Sequence, residues 1–284
     1  MNYLDIINPG HPVKRNLMGD KHIETKIESA EAFKHEILLC HRASKTPVFT
    51  HINITSGELD WPPLDGFEPE FNGYGKDIII QGVTINSSIV ERELPERITL
   101  TSSIINGDLV NNNFKKSNYS QNTFNKRVSC TDFQRSDLSN VLFNDEVSDC
   151  SFINARLHKT AFNARVTGFT CFSGADFNGV EFSADCDNTV IFIGSNLSEQ
   201  AIRPTGGIQT VDNLKTALNA GQYTDVQVEK LHSIFSLACI EVEESLDVFS
   251  GMRYHLNENH YDHINQAKET LEEYMQNNRL TPGR

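Results

Sequence analysis

Large apolar residues recur along the middle of this chain on a beat of five. Counting from Phe49 gives Phe49, Ile54, Leu59 and Leu64, and the same step later gives Leu109, Phe114, Tyr119 and Phe124. The beat slips by one residue near Val128, resumes at Phe133, Leu138 and Phe143, and slips again near Val147. It then runs through Phe152, Leu157 and Phe162 to Phe172, Phe177, Phe182, Phe192 and Leu197 with no further slip expected. Two positions ahead of most of these residues stands a small or β-branched one: Gly57, Gly107, Ser117, Thr131, Ser136, Cys150, Ala155, Thr160, Thr170, Ala175 and Ser195. A helix repeats its apolar positions about every 3.6 residues and a strand about every 2, so this period belongs to neither. A chain that turns a corner at each beat closes a square coil in about twenty residues, and stacked coils bury a common column of Leu and Phe. At the strand spacing of about 4.8 Å, seven or eight coils make a rod of roughly 35 Å.

The beat is lost between Gly66 and Lys76, where the sequence reads as a loop leaving the solenoid. Phe67, Phe71 and Tyr74 on this loop, with Trp61 just ahead of it, are the candidate partner-binding residues; folding back over the open end of the core is the competing reading. Beyond it, Ile78-Ile79-Ile80, Val83-Thr84-Ile85 and Ile98-Thr99-Leu100 predict β-branched strands of less regular coils.

Both ends read as helical. Ile27, Ala30, Phe33, Ile37 and Leu38 share one helix face within Thr25–His41, and Thr25 with Glu28 matches a capping box. This helix is expected to lid the first coil. After the break at Arg203-Pro204-Thr205-Gly206-Gly207, a short helix starts at Asp212 and stops at Gly221. A second starts at Thr224 with Val228, Leu231, Phe235 and Ile240 inward, and a third carries Ile264, Ala267, Leu271 and Tyr274 or Met275. The three are expected to form a small bundle against the last coil. The organisation is therefore an N-terminal extension with a capping helix (1–45), a β-helix (46–200) and a helical region (201–284).

Segments such as Ser129-Cys130-Thr131-Asp132-Phe133 and Ser173-Gly174-Ala175-Asp176-Phe177 resemble the A(D/N)LXX unit of pentapeptide-repeat proteins. The resemblance covers about half of the chain and implies a mainly β fold, a right-handed quadrilateral β-helix. It leaves function open, because that fold serves many. A diverged β-helix followed by helices looks like the substrate-binding part of bacterial HECT-like ubiquitin-ligase effectors and of other pentapeptide-repeat effectors delivered into host cells. Their catalytic cysteine lies in a separate lobe that this chain is not expected to contain, and Cys239 lacks a matching context. A second implied role is DNA mimicry of the kind found in gyrase-protecting pentapeptide proteins. Some members of the family pair, so a homodimer is a further expectation.

Composition narrows this. The formal charge of −13 argues against direct nucleic-acid binding, which needs clustered Lys and Arg, although it suits a mimic. No run of residues is long and apolar enough to span a membrane, and Met1–Asp20 is too polar for a secretory signal. Six cysteines without a CxxC favour a reducing compartment such as the bacterial cytoplasm, with delivery to a host requiring no cleaved signal. Cys130, Cys150 and Cys171 stand 20 and 21 residues apart; only Cys150 takes the inward small position, so the three are read as wall residues. No Walker loop, dinucleotide fingerprint, nucleophile elbow or HExxH occurs. His255, His260 and His263 lack a fourth ligand for zinc, and Asp132, Asp137, Asp149 and Asp176 sit where the repeat itself uses Asp or Asn. Glu241, Glu243, Glu244 and Asp247 read as a solvated face, with a basic partner protein as the alternative. The expectation is a non-enzymatic protein-binding protein without metal or cofactor.

Overall fold

The computed structural model describes residues 6, 21–24, 27–43, 46–49, 52–59, 70–71, 78–90, 94, 96–197, 205–247 and 258–278. Trp61, Phe67 and Tyr74 lie outside these. The chain opens with β1 (Lys21–Glu24), α1 (Ala30–Arg42), β2 (Thr46–Phe49), β3 (Ile52–Ile54), β4 (Gly57–Glu58) and β5 (Glu70–Phe71). It continues with β6 (Ile78–Gln81), β7 (Val83–Ile85), β8 (Ile89–Val90), β9 (Thr99–Thr101), β10 (Ile104–Ile105) and β11 (Leu109–Val110). Then come β12 (Thr123–Phe124), β13 (Val128–Ser129), β14 (Leu142–Phe143), β15 (Val147–Ser148), β16 (Ala161–Phe162), β17 (Val166–Thr167) and β18 (Glu181–Phe182). Three helices close the chain: α2 (Val211–Asn219), α3 (Asp225–Asp247) and α4 (Glu258–Asn277).

Every pairing between these strands is parallel, and the strands stack into the sides of one β-solenoid. Side one is the seven-stranded sheet β4-β7-β10-β12-β14-β16-β18, and side two the five-stranded sheet β8-β11-β13-β15-β17. Side three is a column of bridges from Asn113 through Asp132, Ser151, Cys171 and Ile191 to Ile208. Side four starts as β3-β6-β9 and continues as bridges from Asn118 through Asp137, Arg156 and Asp176 to Asn196. Pairing also reaches past 46–200 at both ends, through β1 against β2 and through Ile191 against Ile208.

The expected slips are a property of every coil. Ile104 pairs with Thr123, Thr123 with Leu142 and Leu142 with Ala161, a step of 19 residues each time. The missing residue is always at the corner between sides one and two, where the inward positions Ile105 and Leu109, Phe124 and Val128, Phe143 and Val147, and Phe162 and Val166 are four apart. The step from Ala161 to Glu181 is 20 residues, because the run from Val166 to Phe172 gains one and restores the count. The expectation of no slip after Val147 is thus corrected: one occurs at Val166 and is cancelled within the same coil. The extra residue follows the corner: Asp149 stands three residues ahead of the inward Phe152, whereas Gly168, its equivalent in the next coil, stands four ahead of Phe172, with Phe169 inserted between.

Inside, two ladders of phenylalanines run along the rod. Phe124, Phe143, Phe162 and Phe182 stack with ring centroids 5.1, 4.9 and 4.9 Å apart. Phe133, Phe152, Phe172 and Phe192 stack at 5.4, 4.9 and 5.1 Å. The ladders meet edge to face, as at Phe143–Phe152 (5.9 Å, 80°) and Phe162–Phe172 (5.6 Å, 85°). Both arrangements suit the ring quadrupole and add about 0.5–1.5 kcal/mol per pair beyond burial. Most of the small residues ahead of the large inward ones are buried too; Gly57, exposed in β4, and Ser195, half-buried, are the exceptions. The Asn112 and Asn122 amides donate to Ile89 O and Leu100 O of the preceding coil, and the Ser136 and Thr160 hydroxyls to Phe114 O and Leu138 O, whereas the Ser117, Thr131 and Thr170 hydroxyls donate within their own coil to Lys115 O, Ser129 O and Thr167 O. These bonds give the buried side chains that make them a partner.

Three corners turn through columns of left-handed residues. Arg97, Lys116, Arg135, Asn154, Gly174 and Gly194 form one; Ser102, Gln121, Asn140, Lys159 and Gly179 a second; Asn111, Cys130, Asp149 and Gly168 a third. The tight fourth corner instead carries an asparagine ladder. Asn163 donates to Asn144, Asn144 to Asn125, Asn125 to Asn106 and Asn106 to Asn86, at 2.7–2.8 Å.

Helix α1 closes the N-terminal end: Ala30 and Phe33 join the solenoid core, and Phe33 lies 5.0 Å from the Phe49 ring. Its cap is Ser29, whose Oγ accepts the Ala32 N–H, rather than the expected Thr25, because Ile27 is drawn into a bridge with Ile52. Leu38, expected inward, is exposed. The C-terminal helices do more than stand on the last coil. They lie along side three and build a second core from Ile153, Phe169, Cys171, Ile191 and Ile193 with Val228, Leu231, Phe235, Val242, Ile264 and Leu271. Gly194 permits this approach, since a Cβ there would meet Ile264 at 2.4 Å. Ile240, expected on the buried face of α3, is 53% exposed; Ile234, Leu237 and Ala238 are buried instead.

Phe152 contacts four rings of both ladders. Phe152→Ala should therefore lower unfolding free energy in urea by about 3–5 kcal/mol, whereas Leu142→Ala, on the outer face, should change it by less than about 0.5 kcal/mol; similar losses for both would contradict the assignment of faces.

Candidate interaction surface

The four sides differ in what they present to solvent. Side three is covered by α3 and α4 over its later coils. Side four is polar and of mixed sign, with Asp137, Arg156 and Asp176 in succession and Arg156 Nη1 3.9 Å from Asp137. Along the tight corner Asp108, Arg127, Glu146 and Arg165 follow one another, one per coil, so the sign of charge alternates. Side one presents an uncharged column of Thr84, Ile104, Thr123, Leu142 and Ala161, bracketed by Glu58 and Glu181. Ile104 and Leu142 are 45% and 39% exposed, two coils apart in the same column. Val90 on side two is exposed as well. A cavity of about 410 Å³ lies between the last coil and α2, with the amides of Asn188, Gln209, Asn213 and Gln222 in its lining and Tyr223 Oη donating to Asn188 O at its wall.

Of the candidate binding aromatics, Trp61, Phe67 and Tyr74 fall outside the described residues. Phe71 lies in β5, in register with Phe49 of β2, so its backbone belongs to a strand of the sheet rather than to a free loop. The residues on side one were not singled out from the sequence. The signal was present: each outward residue directly precedes an inward one, as in Ile104-Ile105 and Leu142-Phe143. It becomes legible only once the coil is known to be 19 residues long.

The repeat carboxylates are held in the wall. Asp132, Asp137 and Asp176 each accept the N–H two residues on, from Gln134, Ser139 and Asn178, and Asp149 accepts the Phe169 N–H of the next coil. Such turns are what Asp and Asn do best at corners. Asp132 is fully buried with Lys115 Nζ at 3.0 Å, and burial outweighs that cation, pushing its carboxyl up to about 6. The thiols are likewise pushed up by burial, Cys171 and Cys239 to about 11 and Cys186 to about 12, which leaves them protonated and weakly nucleophilic at neutral pH. Burial and His263 lower His260. Among the described residues no group of three metal-capable side chains comes together.

The acidic cluster of α3 is not simply solvated. Glu241 Oε2 and Glu244 Oε2 lie 2.9 and 3.0 Å from Arg135 Nη2, which also donates to Glu241 O, and the Asn154 amide donates to the same carbonyl. Two of the four acids thus pin the helix to the left-handed corner column, while Glu243 is exposed. Lys230 adds a contact over the Phe169 ring, 4.7 Å from its centroid.

The fold defines a parallel β-solenoid with helices at its N-terminal region and C-terminus. No protein-family model matches the chain, and no curated protein is significantly similar to it. No helix among the described residues is long and apolar enough to cross a membrane.

The buried Asp132 makes a pH dependence. Its folded value of about 6 lies above the ordinary 3.8, so between those values the folded state holds a proton that the unfolded chain has lost. Stability is therefore removed as pH rises through this window, by on the order of 3 kcal/mol from Asp132 alone. Asp132→Asn should flatten that part of the profile in denaturant titrations from pH 3.5 to 7.5; parallel profiles for the two proteins would contradict it.

Proposed function

We propose that this protein is a protein-binding scaffold, a diverged pentapeptide-repeat β-helix whose exposed side one receives a partner protein. The observation that carries the reading is the contrast between surfaces. Charge alternates in sign coil by coil along the tight corner and side four, whereas side one offers an uncharged column with two protruding aliphatic side chains. A mimic of DNA needs a continuous run of negative charge, which the columns Asp108–Arg127–Glu146–Arg165 and Asp137–Arg156–Asp176 interrupt. Exposed aliphatics on a rigid frame favour a protein partner, because their burial is the gain and the frame loses little freedom on binding.

Membership of the pentapeptide-repeat family is supported by the four short sides per coil and by the buried small residue two places ahead of most large inward ones. A reducing compartment is supported by six free thiols, five of them buried. Work as an effector inside a host cell rests on the sequence resemblance.

Affinity capture from bacterial and host lysates, run with the wild type and with Ile104→Lys/Leu142→Lys, tests the docking face. The expected result is a stoichiometric protein retained by the wild type and reduced at least tenfold by the double variant. Capture that is indifferent to both substitutions, or inhibition of gyrase supercoiling by the protein, would overturn the reading.

A further inference from the structure

We infer that a second copy of this chain occupies side one, related by a two-fold axis parallel to the strands near Thr123, so that Ile104 of each copy meets Leu142 of the other. The inference rests on the proposed docking role of this face and names its occupant.

A two-fold interface uses the same patch twice, so the patch must match itself when its order is reversed. The outward column reads Thr84, Ile104, Thr123, Leu142, Ala161, in hydrogen-bonded register from β7 to β16. Reversed about Thr123, it sets an aliphatic against an aliphatic on either side of a threonine pair, with Thr84 against Ala161 beyond. The asparagine ladder beside it matches itself in the same operation, Asn106 opposite Asn144 and Asn125 opposite Asn125. Each interior amide of that ladder donates one N–H and accepts one bond within its own column. One N–H and one lone pair per side chain therefore remain for a facing amide.

Charge points the same way. A chain of net charge −13 repels its own copies over most of its surface. Between Glu58 and Glu181 the outward column of side one carries no charge, so the copies approach there without setting like charges of that column against each other. The two-fold sets Glu58 of one copy towards Glu181 of the other, which makes association stronger in salt. Five rungs at about 4.8 Å by one side of about 13 Å give about 300 Å². Since a standard interface buries about 800 Å² per partner, the dimer is weak and concentration-dependent.

Sedimentation of the full chain from low micromolar to near millimolar loading, at low and high salt, tests this. The wild type should pass from monomer to dimer, more readily in high salt. Ile104→Lys alone and Leu142→Glu alone should each weaken dimerisation at least tenfold while leaving the thermal melting curve in place, since both positions are exposed. An equimolar mixture of the two variants should restore a dimer, because Lys at 104 then faces Glu at 142, and this rescue should fade in high salt. A wild type that stays monomeric throughout, a dimer indifferent to both substitutions, or a mixture no better than either variant alone would overturn the inference. A monomeric wild type that nonetheless loses a captured protein in the Ile104→Lys/Leu142→Lys variant leaves the docking role standing and removes only the second copy as its occupant.

Discussion

Stacking of phenylalanine rings at the spacing of hydrogen-bonded strands is the interaction on which this structure depends. Rings in successive coils lie 4.9–5.4 Å apart from Phe133 to Phe192, close to the roughly 4.8 Å that parallel pairing imposes. Backbone and side chain therefore ask for the same rise per coil. A single coil exposes both faces of its rings and its unpaired N–H and C=O groups, so it has no stable form alone; its neighbours supply both. The perpendicular contact between the two ladders fills the cross-section and leaves side two, with Leu109, Val128, Val147 and Val166, to close the square with smaller residues.

From this constraint follow the coil length and the corners. Side two is bounded by a four-residue step, which removes one residue per coil and leaves no room for the left-handed turn used elsewhere. The asparagine ladder takes its place and bonds along the rod rather than within the coil. At the other corners, residues such as Lys116, Arg135 and Lys159 hold positive φ at a local cost of about 1 kcal/mol each. Stacking with the next coil compensates for it. Arg135 shows how such a corner acquires a second use: its outward direction is what lets Glu241 and Glu244 fasten α3.

The solenoid was legible because Phe and Leu are too large to place anywhere but inward, so their interval reports the path of the chain. The slips at Val128 and Val147 were visible for the same reason. The slip at Val166 was not, because the residue inserted after Gly168 restores the count within ten residues and the beat runs on undisturbed. The helices were legible from periodicity, yet their partners were not: Ile240 and Ile234 lie on neighbouring stripes of α3, and only the position of side three decides which is buried. Glu241 read as a solvated acid because its cation, Arg135, is more than a hundred residues away. The outward column of side one escaped notice because an exposed Ile or Leu has no signature until the coil length sets which residues are neighbours.

If ring stacking couples the coils, they should open together. Native-state hydrogen exchange, followed by residue in increasing denaturant, measures this most directly. The account predicts that the ladder amides from Leu109 to Phe192 share one opening free energy and one denaturant dependence, equal to those of global unfolding. Opening free energies that fall coil by coil towards Phe192, each with its own smaller denaturant dependence, would contradict it.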